Sequence, residues 1–179
     1  MSERYGPVAV ALHWLSALLV LAGFALGVWM TGLALSPATL RWYGWHKWIG
    51  ITVFLLAALR LAWRWHAPPP TWPPALPAWQ RRGALLAHRA LYALMLAVPL
   101  SGWLYSSATG VSVVYLSLVP LPNLVPKDKA LAGAMLAVHQ SLNATLALLV
   151  LVHVAAAAKH QWIDRDEILS RMRPWRASR

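Results

Sequence analysis

Four long apolar segments, separated by polar or proline-rich connections, dominate the pattern of the chain. They cover approximately residues 8–32, 46–63, 84–106 and 131–158. A membrane-spanning helix needs about 20 predominantly apolar residues, and each segment comes close to that length or exceeds it. Six prolines between residues 67 and 79 exclude a helix there, so the second and third segments are separate elements. The pattern predicts an all-α membrane protein: a four-helix transmembrane bundle that forms one domain over residues 1–179.

The composition agrees with a chain that lies mostly in a lipid bilayer. Hydrophobic residues make up 59% of the 179 residues and charged residues 12%, whereas a soluble domain has about 45–50% and about 25%. There is no cysteine. This excludes disulfides, covalently attached c-type haem and thiolate-bound iron–sulfur clusters.

The net charge of +11 predicts a topology rather than a nucleic-acid partner. Basic residues flank the apolar segments, as membrane topology and anionic lipid headgroups require, and we expect no nucleic acid. Twelve lysines and arginines fall on the side of both chain termini. The other side has four: Arg41, Lys47, Lys127 and Lys129. The positive-inside rule therefore predicts that both termini are cytoplasmic.

Two histidines at the ends of one apolar stretch carry the candidate chemistry. His139 and His153 are 14 residues apart. On a helix this is a rise of about 21 Å and nearly four turns, so both imidazoles point to the same side. One helix then presents an imidazole near each membrane face. Neutral imidazole is a common axial ligand of haem iron.

The predicted topology supplies one partner for each of these histidines. His13, near the start of the first segment, has the cytoplasmic depth of His153, and His46, opening the second segment, has the outer depth of His139. Ionisable groups inside membrane spans are functional candidates by default. We predict that each pair holds one haem b between two helices, giving two bis-histidine haem b groups.

Further residues are candidates for contacts with these cofactors. Gly50 lies one turn after His46 on the same face, where a bulky side chain would block a porphyrin. Arg60 and Arg64, at the cytoplasmic end of the second segment, are candidates to pair with haem propionates, because guanidinium groups bind carboxylates well. Flanking charge of the positive-inside kind is the alternative for both arginines.

Three alternatives stay open from the residues alone. A single histidine near a membrane interface is often only hydrogen bonded there. His160, seven residues after His153 on the same helical face, competes with it for the cytoplasmic haem. A haem-free small transporter whose histidines relay protons is the alternative of a different class, although we find no carboxylate within the spans and no internal repeat.

Several short motifs make the chain resemble the prokaryotic cytochrome b561 family. They are His13-Trp14, HKWIG at 46–50, RLAWR at 60–64, PLSGW at 99–103 and AAAAKHQWIDRDEILSRM at 155–172. The resemblance covers nearly the whole chain. It implies a di-haem b protein of the bacterial inner membrane that moves electrons between ubiquinone, or another membrane quinone, and a partner on the periplasmic side.

The resemblance also implies specific partners. One type in the family is a superoxide oxidase, which passes an electron from superoxide to ubiquinone. In that case Lys127 and Lys129 are candidates to steer the anion, although Asp128 partly cancels their field. A haem b membrane-anchor subunit of a multi-subunit oxidoreductase is the alternative. The family also allows a homodimer, and the direction of electron flow stays open.

Overall fold

The computed structural model describes residues 4–74, 76–166 and 168–173. It contains four long helices: α1 (Pro7–Thr31), α2 (Pro37–His66), α3 (Ala78–Thr109) and α4 (Lys129–Lys159). All four are long and apolar enough to cross a membrane, which confirms the predicted all-α bundle. Arg176 and Arg179, counted in the charge asymmetry, and Glu167 of the tail motif lie outside the described residues.

Helix α2 begins nine residues earlier than the predicted segment, so the expectation of a loop over residues 33–45 was wrong. The Ser36 side chain caps the helix by accepting a hydrogen bond from the Thr39 amide across 3.1 Å, and Pro37 occupies the first turn. Both residues favour a helix start. His46 therefore lies in the third turn of α2 rather than at its beginning.

The other helix ends follow from local sequence in the same way. Helix α3 stops at Gly110, whose φ of 80° is a left-handed conformation that glycine adopts without strain. The Asp128 carboxylate caps α4 by accepting from the Leu131 amide across 2.9 Å. At its far end α4 continues into a π-helical turn over His160–Asp164.

The helices pack in chain order and leave α4 apart from two of its neighbours. Within the described residues, close backbone approaches join α1 to α2, α2 to α3 and α3 to α4, whereas α4 has few or none to α1 and α2. A small buried cluster of Val53, Ala57 and Met95 holds α2 against α3. Many large apolar side chains point outward instead, as expected for helices whose outer faces meet lipid.

We call one end of the bundle the hairpin end. It carries the α1–α2 loop and a short antiparallel hairpin of β1 (Val114–Tyr115) and β2 (Val119–Pro120). The hairpin is fastened to α2, because the Trp48 indole donates to the Val114 carbonyl across 2.7 Å and the Thr52 and Tyr115 hydroxyls lie 2.9 Å apart.

The opposite end, the terminal end, carries both ends of the described chain. The Tyr5 amide donates to the Arg171 carbonyl across 3.3 Å, and the Trp14 indole donates to the Met172 carbonyl across 2.8 Å. The Arg171 guanidinium donates to the Thr71 carbonyl in the α2–α3 loop across 2.6 Å. The C-terminal 3-10 helix (Leu169–Met172) is thus tied to the N-terminal segment and to that loop.

Candidate functional site

Four histidines form two facing pairs, one near each end of the bundle. At the terminal end the ring centres of His13 on α1 and His153 on α4 are 6.3 Å apart. At the hairpin end the ring centres of His46 on α2 and His139 on α4 are 6.4 Å apart. Helix α4 contributes one member to each pair. The structure thus brings together the residues that were predicted as partners, while their role as ligands stays a prediction.

The separation within each pair suits two imidazoles on one metal ion. A metal–imidazole bond is about 2.0–2.1 Å long, and the ring centre lies about 1.2 Å behind the coordinating nitrogen, so two opposed rings have centres about 6.4 Å apart. The pairs also lie between helices that have few or no close backbone approaches within the described residues, α1 with α4 and α2 with α4. The donor set and the spacing therefore fit a haem held between two histidines.

Glycines make room for the rings of the hairpin-end pair. A Cβ atom at Gly27 would lie 3.1 Å from the Cε1 atom of His46, and one at Gly102 would lie 3.0 Å from the Cε1 atom of His139. Both distances are too short for comfortable packing. A larger residue at either position would require the imidazole to shift by a few tenths of an ångström.

The two rings of the hairpin-end pair differ in their hydrogen bonds. The Nδ1 atom of His139 lies 3.0 Å from the Ser101 hydroxyl oxygen and 3.0 Å from the Val98 carbonyl oxygen. The buried Nδ1 atom of His46 has no hydrogen-bond partner within the described residues. The Gly23 backbone lies near the His46 ring, but it does not meet the distance and angle of a hydrogen bond.

The terminal-end pair has charged and titratable neighbours. The Nη2 atom of Arg60 lies 3.1 Å from the Nδ1 atom of His13, and the same guanidinium stands over the Tyr92 ring, 5.2 Å from its centre. A third histidine, His88 on α3, has its ring centre 5.4 Å from that of His153. This separation is shorter than that of two opposed rings on one ion, so His88 is a neighbour of the pair and does not have the spacing of a second opposed ligand.

The remaining predicted residues lie at varying distances from the pairs. A Cβ atom at Gly50 would meet only Pro99, at 3.9 Å, so Gly50 faces α3. Arg64, one turn beyond Arg60, is half-buried beside Trp65. Lys127 and Lys129 are exposed at the hairpin end. The roles predicted for these residues stay predictions.

His160, the alternative to His153, contacts two aspartates of the C-terminal tail. Its Nδ1 atom lies 2.6 Å from a carboxylate oxygen of Asp166 and 3.4 Å from one of Asp164. Lys159 in turn contacts both oxygens of Asp164, at 2.5 Å and 2.7 Å. These contacts fasten the π-helical turn and leave His153 as the histidine of α4 that faces His13.

Sequence reasoning did not assign Gly102 and Ser101 to the site, and it left Gly27 open between helix packing and a smooth face for a flat macrocycle. The signals were present, because Gly23 and Gly27 are one turn apart and Ser101-Gly102 follows Pro99 directly. Such small residues also mark ordinary helix packing in membranes, so sequence alone does not separate the two roles.

Comparison with known proteins identifies the family of the chain. Residues 4–175 match the family model described as prokaryotic cytochrome b561. The chain is 36% identical to cytochrome b561 homolog 2 of Escherichia coli strain K12, with 95% of this chain and 91% of that protein aligned. It is 28% identical to cytochrome b561 homolog 1 of the same strain, covering 97% and 99%.

A third relative carries a functional name. The chain is 26% identical to a protein of Yersinia pestis named probable superoxide oxidase CybB, over 97% of this chain and 98% of that protein. The family match covers nearly all of the chain. The chain therefore belongs to the prokaryotic cytochrome b561 family, and it is a multi-pass bacterial membrane protein of electron transfer that binds haem b.

Proposed function

We propose that this protein conducts electrons across the bacterial inner membrane through two haem b groups, between the quinone pool and a redox partner on the periplasmic side. The observation that carries the proposal is the presence of two facing histidine pairs, with ring centres 6.3 Å and 6.4 Å apart, near opposite ends of one bundle. His13 and His153 would hold one haem, and His46 and His139 the other. Each haem iron supplies a centre that accepts and releases a single electron.

The chain itself holds, orients and shields these centres. Histidine at both axial positions leaves no open iron position, so the site favours electron transfer over oxygen binding. Helix α4 fixes the relative depth of the two sites, because His139 and His153 are separated by about 21 Å of helix. Arg60 would pair with a propionate at the terminal end, where its Nη2 atom lies 3.1 Å from the Nδ1 atom of His13.

The orientation in the membrane follows from the distribution of charge. The terminal end holds most of the lysines and arginines and would face the cytoplasm. The hairpin end, with Lys127 and Lys129, would then face the periplasm. This orientation assigns the His46–His139 pair to the periplasmic partner and the His13–His153 pair to the cytoplasmic side.

Superoxide is the periplasmic donor that we propose, because one relative is named a probable superoxide oxidase. Two superoxide anions would each lose one electron and leave as O₂. One ubiquinone would take up both electrons and two protons to become ubiquinol. Lys127 and Lys129 would attract the anion to the hairpin end. The Asp128 carboxylate between them accepts from the Leu131 amide and so serves as a helix cap.

The first experiment is a reduced-minus-oxidised optical spectrum of the purified protein with haem quantified per chain. We expect two b-type haems. A single haem would exclude the two-site proposal, and a colourless protein that cannot be reconstituted with haem would favour the transporter alternative. Co-purification of a second redox chain in stoichiometric amount would favour a membrane-anchor subunit.

The donor is tested separately by rapid mixing. We expect superoxide to reduce the haems and added ubiquinone to reoxidise them, in liposomes as well as in detergent. Lys127→Ala with Lys129→Ala should slow reduction by superoxide at low salt more than at high salt, because steering by surface charge is screened. Reduction by quinol alone, with no reaction with superoxide, would replace superoxide by another periplasmic partner.

A further inference from the structure

The His139 imidazole is held by two groups of helix α3. Its Nδ1 atom lies 3.0 Å from the Ser101 hydroxyl oxygen and 3.0 Å from the Val98 carbonyl oxygen. The Ser101 hydroxyl donates its proton to that same carbonyl across 2.7 Å. Because this proton is already used, the hydroxyl oxygen presents only lone pairs to the histidine.

These contacts determine which nitrogen of His139 carries the proton. A carbonyl oxygen can only accept, and the Ser101 oxygen accepts as well, so the neutral ring has its proton on Nδ1 and its lone pair on Nε2. Ser101 is only 4% exposed, which keeps bulk water from competing for the Nδ1 proton. The arrangement presents Nε2 as the free donor atom toward His46.

We propose that Ser101 is a positioning residue that, together with the Val98 carbonyl, fixes the tautomer and orientation of His139 and that lowers the midpoint potential of the haem at the hairpin end. The inference rests on the proposed function, in which His139 is a haem ligand. A hydrogen bond from Nδ1 to an acceptor raises the basicity of Nε2. A more basic axial ligand favours ferric over ferrous iron, because the ferric ion carries more positive charge.

The effect should be confined to one of the two haems. His46, the partner of His139, has no hydrogen bond at Nδ1 within the described residues. At the other end, the Nδ1 atom of His13 faces the Arg60 guanidinium at 3.1 Å. Arginine never accepts a hydrogen bond, so it offers no acceptor to the Nδ1 proton of a ligating His13, and its positive charge acts on that site in the opposite sense to Ser101.

The test compares Ser101→Ala with a matched serine variant. In Ser16→Ala the hydroxyl that is lost is also buried and also donates to a helix carbonyl, that of Leu12 at 2.6 Å. Midpoint potentials of both haems are measured by optical redox titration. In Ser101→Ala we expect an upward shift of one haem only, with both haems retained because the Val98 carbonyl still holds His139. Ser16→Ala should leave both potentials unchanged, and Ser101→Thr, which keeps a hydroxyl, should restore the wild-type potential.

The shifted haem is identified with His139→Ala, which should lose that spectral component. If His139→Ala keeps both haems, the proposed ligand set is wrong. If it loses one haem but Ser101→Ala leaves both potentials and both low-spin ferric spectra unchanged, the ligand set stands and the role of Ser101 is refuted. An equal shift of both haems would also overturn that role.

A second readout needs no substitution at Ser101. In reduced protein labelled with nitrogen-15 histidine, the Nδ1 proton of His139 should exchange slowly with solvent and give a sharp correlation that disappears in His139→Ala. A rapidly exchanging Nδ1 proton, or none, would contradict the proposed hydrogen bond even if Ser101→Ala does not fold.

Discussion

The hairpin-end and terminal-end histidine pairs have the same spacing but different surroundings. At the hairpin end, glycines flank the rings, and the His139 Nδ1 atom faces two acceptors. At the terminal end, the His13 Nδ1 atom faces the Arg60 guanidinium. Acceptors favour the more positive ferric iron, whereas a nearby cation disfavours it. With a haem at each pair, as proposed, identical ligand types would give two different midpoint potentials through their neighbours alone.

This difference also suggests a direction for the electrons. If the terminal-end haem has the higher potential, electrons entering at the hairpin end lose free energy as they move toward the terminal end. That direction agrees with a periplasmic donor and a quinone acceptor. Equal midpoint potentials of the two haems in a redox titration would contradict this difference.

The largest expected effect is the loss of one haem from each of two single variants. His139→Ala should remove the hairpin-end haem and His153→Ala the terminal-end haem, because each pair loses one axial ligand. Haem per chain is measured by extraction and should fall from two to one. His88→Ala is the control and should retain both haems, since its ring centre lies only 5.4 Å from that of His153.

The next effect tests the role of glycine at the hairpin end. In Gly102→Ala the new Cβ would approach the Cε1 atom of His139 to 3.0 Å and push the ring away. We expect weaker haem retention at that end. The free energy of unfolding should fall by roughly 1–3 kcal/mol, which is typical of overpacking. Gly133→Ala is the matched helical control, because a Cβ there meets nothing within 4 Å. Similar haem retention in both variants would count against a role of Gly102 in making room for the His139 ring.

A smaller effect is expected from the cation at the terminal end. Arg60→Gln removes the charge next to His13, so the potential of the terminal-end haem should fall by roughly 60 mV, which corresponds to about 1.4 kcal/mol for one electron. The hairpin-end haem should not move. Arg64→Gln, one turn further along α2, serves as the comparison and should give a smaller shift. An equal shift in both variants would show that only net charge matters.

The smallest effect concerns Tyr5, a half-buried tyrosine of the terminal end. Burial raises the pKa of the Tyr5 phenol above its ordinary value of 10.0, while Arg64, Arg171 and Arg60 act to lower it. The folded protein then holds this proton more tightly than the unfolded chain, so the stabilisation is fully present below pH 10 and is lost as the pH rises through the folded value. Thermal unfolding in detergent should show a steeper alkaline decline for wild type than for Tyr5→Phe. Identical pH profiles would exclude this contribution.

The number of helices and the candidate histidines could be predicted from the sequence alone. Apolar segments of membrane length and a proline-rich connection predict four spans, because lipid leaves the backbone few alternatives. The 14-residue interval between His139 and His153 predicts one imidazole near each membrane face, because the helical repeat is fixed. The start of α2 was predicted nine residues too late. The first turns of this helix, which begins after Ser36 at Pro37, contain polar and aromatic residues that are also typical of a loop at a membrane interface.

The surroundings of each histidine follow from the tertiary structure and not from the sequence pattern. Contacts such as that of Ser101 with His139, or of Arg60 with His13, join residues 38 and 47 positions apart. They depend on the rotation and depth at which one helix meets another, which hydrophobic periodicity does not fix. The same holds for Gly27 and Gly102, whose importance comes from a ring on a different helix. Packing likewise places His153, rather than His160, opposite His13, because His160 lies beyond the main helix and pairs with Asp166.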